Sequence, residues 1–104
     1  MEAIIENNKA SVYALCQRYN VDKLFVFGSA SNGSFTADSD VDILIDITEN
    51  DPVAKGETIM KLWSGLEHIF KARVDLLISG TIKNPYLQKQ IDTTKQLVYD
   101  RQGA

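Results

Sequence analysis

Three aspartates in two short apolar segments are the residues of this sequence best suited to carry chemistry. Asp40 and Asp42 lie two residues apart in an alternating segment, so on a β-strand both side chains leave the same face, with Cα atoms about 6.5 to 7 Å apart. Asp75 lies in a second alternating segment. If the two strands are neighbours, the carboxylates share one side and could hold two divalent cations about 3.5 to 4 Å apart. Carboxylate oxygens are ligands that Mg²⁺ prefers, and substrate phosphates complete its shell.

A glycine and a serine precede the aspartates, at the end of an aromatic-rich apolar run. Gly28 lacks a Cβ atom, so the backbone amides beside it can approach a phosphate group closely. The hydroxyl of Ser29 adds a hydrogen-bond donor at the same place. Together with the carboxylates, this pair suits the chemistry of a nucleoside triphosphate.

The combined motif resembles a known family. Gly28-Ser29, the string Ser39-Asp40-Val41-Asp42 and Asp75 among hydrophobic residues are similar to the minimal (MNT) branch of the nucleotidyltransferase superfamily of DNA polymerase β. Gly33 and the tail that begins at Asn84-Pro85 agree with that branch. The similarity extends from about residue 24 to residue 99. The combined motif is far more specific than Gly-Ser or Asp-x-Asp alone.

The resemblance implies an α/β (α+β) fold, in which a mixed β-sheet is flanked by helices as in the polymerase β palm. It also implies transfer of a nucleoside monophosphate, with AMP from ATP as the expected case, to an acceptor hydroxyl. Asp40 and Asp42 would be ligands of two Mg²⁺ ions, and Asp75 would be a ligand of one ion and the candidate base. The nucleotide would be bound by three small residues: Gly28, Ser29 and Ser39.

The family also suggests a partner. Minimal nucleotidyltransferases commonly pair with a helical HEPN-type protein as antitoxin and toxin, and some transfer AMP to a tyrosine of that toxin. Asn32 stands where relatives often carry an arginine, so phosphate affinity or nucleotide choice could differ here. One alternative therefore stays open, in which the chain is a catalytically weak or inactive antitoxin that acts by occluding its partner.

The composition sets outer limits on the class of protein. With 104 residues, 44% of them hydrophobic and 24% charged, we expect one globular domain over residues 1–104. A net charge of −3 argues against general nucleic-acid binding. No apolar run approaches a membrane span, and the amino terminus shows no signal-peptide pattern. We therefore expect a cytoplasmic protein, in agreement with the single cysteine, Cys16.

The hydrophobic periodicity predicts alternating helices and strands. Helices are predicted over residues 2–19, 54–71 and 85–91, and strands over residues 24–27, 40–47, 73–79 and 96–99. Residues 29–39 are small and polar and should form a loop. Cys16, Trp63 and Phe70 fall on apolar helix faces and are expected in the core, whereas His68 is expected to be exposed.

Overall fold

The computed structural model describes residues 3–28 and 40–103. Along the chain these residues form the elements α1 (Ala3–Glu6), α2 (Lys9–Arg18), β1 (Lys23–Phe27), β2 (Val41–Asp46), α3 (Pro52–Phe70), β3 (Val74–Ile78), α4 (Pro85–Thr94) and β4 (Gln96–Asp100). The predicted strands are all present, and each of their ends differs from the prediction by at most one residue. The predicted loop over residues 29–39 lies outside the described residues.

The first predicted helix is wrong in one respect, because it is two helices separated by a turn. The side-chain amide of Asn8 donates to the carbonyl oxygen of Ile4 at 2.7 Å, and this bond competes with continuation of the helix. Ile5 and Val12 are nevertheless both fully buried. The hydrophobic spacing therefore continues across the break and could not reveal it.

The strands form the mixed sheet that the resemblance implied, and their order is β3-β2-β1-β4. β1 is antiparallel to both β2 and β4, whereas β2 is parallel to β3. A parallel pair requires a crossover connection, and α3 supplies it. The second and third strands are therefore neighbours, which was the condition for bringing the aspartates together.

Side-chain alternation divides the sheet into two faces. One face packs with α2 and α3 around the main core, which includes Val26, Ile43, Ile45, Leu62, Leu66, Val74 and Leu76. The other face carries a smaller cluster in which Ile91 of α4 covers Phe27 and Leu44. Asp42 and Asp75 alternate with residues of the main core, so they leave the sheet on the side of α4.

Capping residues fix where the helices α3 and α4 begin. Asp51 accepts from the Ala54 amide at 3.3 Å before α3, and Asn84 accepts from the Tyr86 amide at 2.9 Å before α4. In each case a proline follows at the first helical position. At its other end, α3 stops at Lys71, whose φ of 52° is left-handed. A short connection then leads into β3, so the position of Asp75 follows closely from that of α3.

None of the helices among the described residues is long and apolar enough to cross a membrane. Cys16 and Phe70 are buried and His68 is exposed, all as predicted. Burial raises the pKa of the Cys16 thiol to about 12, so this thiol stays protonated near neutral pH and packs as a small apolar group.

Candidate active site

Strand register brings two of the predicted carboxylates side by side. Asp42, the second residue of β2, pairs with Asp75 of the parallel strand β3. Paired residues on neighbouring strands point to the same face, and the strands lie about 4.8 Å apart. The predicted common face of Asp42 and Asp75 is confirmed, and the geometry would not exist if β3 were shifted by one residue.

The third carboxylate adds its charge to the same place. Asp40 lies just before β2 and is exposed, as is Asp75, whereas Asp42 is half-buried. The pKa of Asp42 is raised to about 6, first by its burial and then by the negative charges of Asp75 and Asp40. Each of these causes disfavours the ionised form. The site is therefore a concentration of negative charge that a cation would relieve.

Gly28 packs directly against Asp42. It follows Phe27, whose register partner is Asp42, and its φ of 63° is one that residues with side chains rarely adopt. A Cβ atom at this position would lie 2.6 Å from Oδ2 of Asp42. The absent side chain therefore leaves room for the carboxylate, whereas the sequence alone predicted only room for a phosphate.

The Gly28 amide has a partner that the sequence did not predict. It donates to Oγ1 of Thr94, the last residue of α4, at 3.1 Å. We expected this N–H group to face a phosphate; as the chain is folded, it reaches the end of a helix instead. Nothing in the residue pattern distinguishes Thr94 from other threonines, because a single long-range hydrogen bond leaves no periodic signal.

Two side chains of α3 hold the start of β3 from outside the sheet. Nε1 of Trp63 donates to the Val74 carbonyl oxygen at 2.7 Å, and the Val74 amide donates to Oε2 of Glu67 at 3.0 Å. β3 is an edge strand, so these backbone groups have no neighbouring strand to pair with. The bonds fix the residue immediately before Asp75.

The placement of Trp63 corrects a prediction. We expected it in the core, but it is 39% exposed. Its helical spacing is that of an apolar face, and the adjacent Leu62 is fully buried. The indole N–H group needs an acceptor when it is partly buried, and the edge of β3 supplies one at the rim of the core.

Two predicted nucleotide-binding residues, Ser29 and Ser39, lie outside the described residues, as does Asn32. Their proposed roles remain predictions from the sequence. Gly28, by contrast, is described and buried.

The chemistry of the carboxylates fits Mg²⁺, although the side chains are not closed around an ion. Within residues 3–28 and 40–103, no three His, Cys, Asp or Glu side chains are arranged to hold a metal ion. The raised pKa of Asp42 does not require the carboxylates to touch, because charge repulsion acts over several ångströms. Ligands of Mg²⁺ must come much closer, to about 2.1 Å from the ion. The sheet supplies the donors at one place, and their convergence requires rotation of side chains.

Comparison with known proteins decides the family. Residues 11–104 match the sequence profile described as "Polymerase beta, Nucleotidyltransferase". The chain belongs to this nucleotidyltransferase family. The resemblance inferred from the motif, the mixed-sheet fold and the enzyme class are thereby confirmed. Nucleotidyltransferases of this family generally use a divalent metal ion.

Relatives of this nucleotidyltransferase include named protein adenylyltransferases. One from Methanocaldococcus jannaschii is 35% identical over 85 residues, which cover 82% of each chain. Protein adenylyltransferase MntA of Thermococcus cleftensis is 34% identical over 84 residues, covering 81% of this chain and 79% of that protein. The matched regions thus account for most of both proteins.

Two solved structures extend the similarity to the fold. A minimal nucleotidyltransferase has a TM-score of 0.71 at 26% identity, with 88% of this chain and 89% of that chain covered. A toxin-antitoxin structure with AMP-PNP has a TM-score of 0.65 at 26% identity, with 91% of this chain and 75% of that chain covered.

Proposed function

We propose that this nucleotidyltransferase transfers AMP from ATP to a hydroxyl of a HEPN-type protein. In this proposal the nucleotidyltransferase is the antitoxin of a toxin-antitoxin pair, and the HEPN-type protein is the toxin. The observation that carries the proposal is the pairing of Asp42 with Asp75, with Gly28 against the Asp42 carboxylate. The adenylyltransferase names of the relatives support AMP as the transferred group, and the AMP-PNP complex supports ATP as its source. The HEPN type of partner, with tyrosine as the acceptor, rests on the sequence resemblance.

The carboxylates have distinct roles in this proposal. Asp40 and Asp42 would hold two Mg²⁺ ions, and Asp75 would hold one of them. Bound Mg²⁺ supplies positive charge to the phosphates, which is the main requirement of such transfers. The acceptor oxygen attacks the α-phosphorus of ATP, the bond from that phosphorus to the bridging oxygen of the β-phosphate breaks, and pyrophosphate leaves with the electron pair. Asp75 is the candidate base that receives the hydroxyl proton.

In this proposal three small residues hold the nucleotide: Gly28, Ser29 and Ser39. Gly28 contributes through its missing side chain, since its amide donates to Thr94. Ser29 and Ser39 contribute hydroxyl or amide donors to the phosphates. We assign the activity to the cytoplasm, and the free buried thiol of Cys16, the one cysteine of the sequence, agrees with a reducing compartment.

A second candidate function has an observation of its own in favour. A shallow groove of about 660 Å³ lies along α3 and is lined almost entirely by apolar atoms. Val53 and Met60, two of its lining residues, are 69% and 71% exposed. Such surfaces are typical of protein contacts. An antitoxin that only occludes its partner could use this groove without any catalysis.

One experiment distinguishes the two functions. The purified protein is incubated with Mg²⁺, ATP labelled at the α-phosphate and a candidate HEPN-type partner protein. Transfer of label to that protein is expected for the wild type and for Asp46→Asn, a control on the same strand and face as Asp42. Asp42→Asn should abolish the transfer.

Each other result has a definite meaning. Full transfer by Asp42→Asn contradicts the metal-binding role of this residue. If the wild type transfers no label yet still inhibits the toxin, occlusion is the function.

A further inference from the structure

We propose that Thr94 is a positioning residue, whose hydroxyl holds Gly28 where the glycine leaves room for the Asp42 carboxylate. The inference rests on the proposed AMP transfer and adds to it a residue that is not among the proposed ligands of the metal or the nucleotide. Its basis is a hydrogen bond between positions 66 residues apart in the sequence.

The hydroxyl of Thr94 is oriented by two bonds. It donates its proton to the Gln90 carbonyl oxygen, one helical turn earlier, at 2.8 Å. Its oxygen accepts from the Gly28 amide at 3.1 Å. Because the proton is used within the helix, the lone pairs remain for the amide, and the polarity of the contact is set.

Thr94 is itself held between two fixed elements. Three residues earlier in α4, Ile91 is fully buried in the cluster on this face of the sheet. Two residues later, Gln96 begins β4 and pairs with Val26 of β1. Between them, the Lys95 amide donates to the Ile91 carbonyl oxygen at 2.8 Å. The hydroxyl that accepts from the Gly28 amide is therefore held in a fixed position.

The position of Gly28 matters because the space beside it is narrow. The site of its absent Cβ lies 2.6 Å from Oδ2 of Asp42, so a small movement of Gly28 changes the volume open to that carboxylate. The same residue starts the segment that continues to Ser29. Loss of the Thr94 bond should thus disturb both the metal-binding carboxylate and the beginning of the nucleotide-binding segment.

Thr93 offers a matched control. It is the preceding residue of α4 and is exposed, and its hydroxyl donates to the Lys89 and Gln90 carbonyl oxygens of its own helix at 3.0 and 3.1 Å. Thr93→Val and Thr94→Val therefore remove the same hydroxyl, and introduce the same methyl group, in the same turn.

The experiment compares Thr94→Val, Thr94→Ser and Thr93→Val by three measurements. These are hydrogen exchange of the Gly28 amide without metal, the Kd of ATP with Mg²⁺, and the kcat and KM of AMP transfer. For Thr94→Val we expect exchange and Kd to rise about tenfold, the size of one lost hydrogen bond. The KM for ATP should also rise about tenfold, with a smaller change in kcat. Thr94→Ser should restore wild-type values, and Thr93→Val should keep them.

The inference is overturned if Thr94→Val matches Thr93→Val in the Kd of ATP. It is also overturned if exchange at Gly28 rises while Kd and KM stay unchanged, because the bond is then structural only. If the wild type binds ATP but transfers no AMP, the proposed function fails, and the Kd comparison still decides the role of Thr94.

Discussion

The two ends of β2 carry aspartates on the same face of the sheet but in opposite electrostatic surroundings. Asp46, at the end of the strand, lies opposite Lys23 of β1. Asp42, near its start, lies beside Asp75 of β3 in parallel register, and the charge of Asp40 also acts on it. The register partner of the first aspartate is a lysine, whereas that of the second on β3 is another aspartate.

One ion pair lies close to the Asp46 end of β2. At the Asp46 end, Arg101 lies 2.7 Å from the Asp22 carboxylate. Among the salt bridges between described residues, none includes an aspartate of the Asp42 end. Concentrated like charges lower stability unless a cation relieves them. The Asp46 end thus has Lys23 and Arg101 among its acidic residues, whereas the charges that raise the pKa of Asp42 are those of Asp75 and Asp40, which leaves the Asp42 end suited to a cation from solution.

The strongest test of this difference is to remove one carboxylate at each end. Asp75→Asn takes away both a metal ligand and the candidate base of the proposed reaction, so kcat of AMP transfer should fall by about 10³-fold or more. Asp46→Asn should stay within about twofold of the wild type, because its end of the strand takes no part. Steady-state transfer assays on both variants measure this. Equal losses in the two variants would contradict the comparison.

Glycine substitutions test the same end through its shape. Gly28 and Gly80 both have positive φ, 63° and 87°, so an alanine at either should cost about 1 to 2 kcal/mol of folding free energy. Only at position 28 would the new Cβ meet a carboxylate; at position 80 nothing lies within 4 Å. We expect similar losses of stability in urea but a large loss of AMP transfer in Gly28→Ala alone.

Two results would contradict that prediction. One is normal transfer by Gly28→Ala, which would mean that the Asp42 carboxylate moves aside without consequence. The other is a comparable loss of transfer by Gly80→Ala, which would remove the distinction between the two positions.

These comparisons also show how far sequence reasoning could reach. Asp42 and Asp75 were predictable because alternation along a strand fixes the face, and one assumption about neighbouring strands then joins them. Thr94 and Trp63 were not, because each acts through one hydrogen bond to a residue brought close only by folding. The hydrophobic pattern likewise could not show the break at Asn8, where a polar side chain bonds to the backbone.

The pH dependence of stability should separate the two ends as well. The pKa of Asp42 is about 6 in the folded protein and 3.8 in the reference state. Between these values the folded state binds more protons, so the stabilisation by this group is present at low pH and is lost as pH rises towards 6. Asp42→Asn should remove that decline and stabilise the metal-free protein at pH 7 by about 1 kcal/mol, after solvent screening is allowed for.

Urea unfolding at pH 4.5 and pH 7 measures this effect. Asp46→Asn should lose the same free energy of unfolding between these two pH values as the wild type. Millimolar Mg²⁺ at pH 7 should raise the Tm of the wild type, because an ion that binds only the folded state stabilises it. The same addition should leave the Tm of Asp42→Asn nearly unchanged. A wild-type protein that is more stable at pH 7 than Asp42→Asn without metal would contradict the repulsion.

The smallest expected effect on the carboxylate site comes from the two side chains of α3 that bond to β3 at the edge of the sheet. Trp63→Phe removes the indole donor to the Val74 carbonyl and should lower the free energy of unfolding by about 1 kcal/mol. Met60→Leu, on the same helix and 71% exposed, should change it by less than about 0.5 kcal/mol. Glu67→Gln retains an oxygen that can accept from the Val74 amide, so its effect should lie between these two. If Trp63→Phe and Met60→Leu are equally stable in urea, the bond at the edge of β3 does not hold Asp75 in place, and the strand register alone must do so.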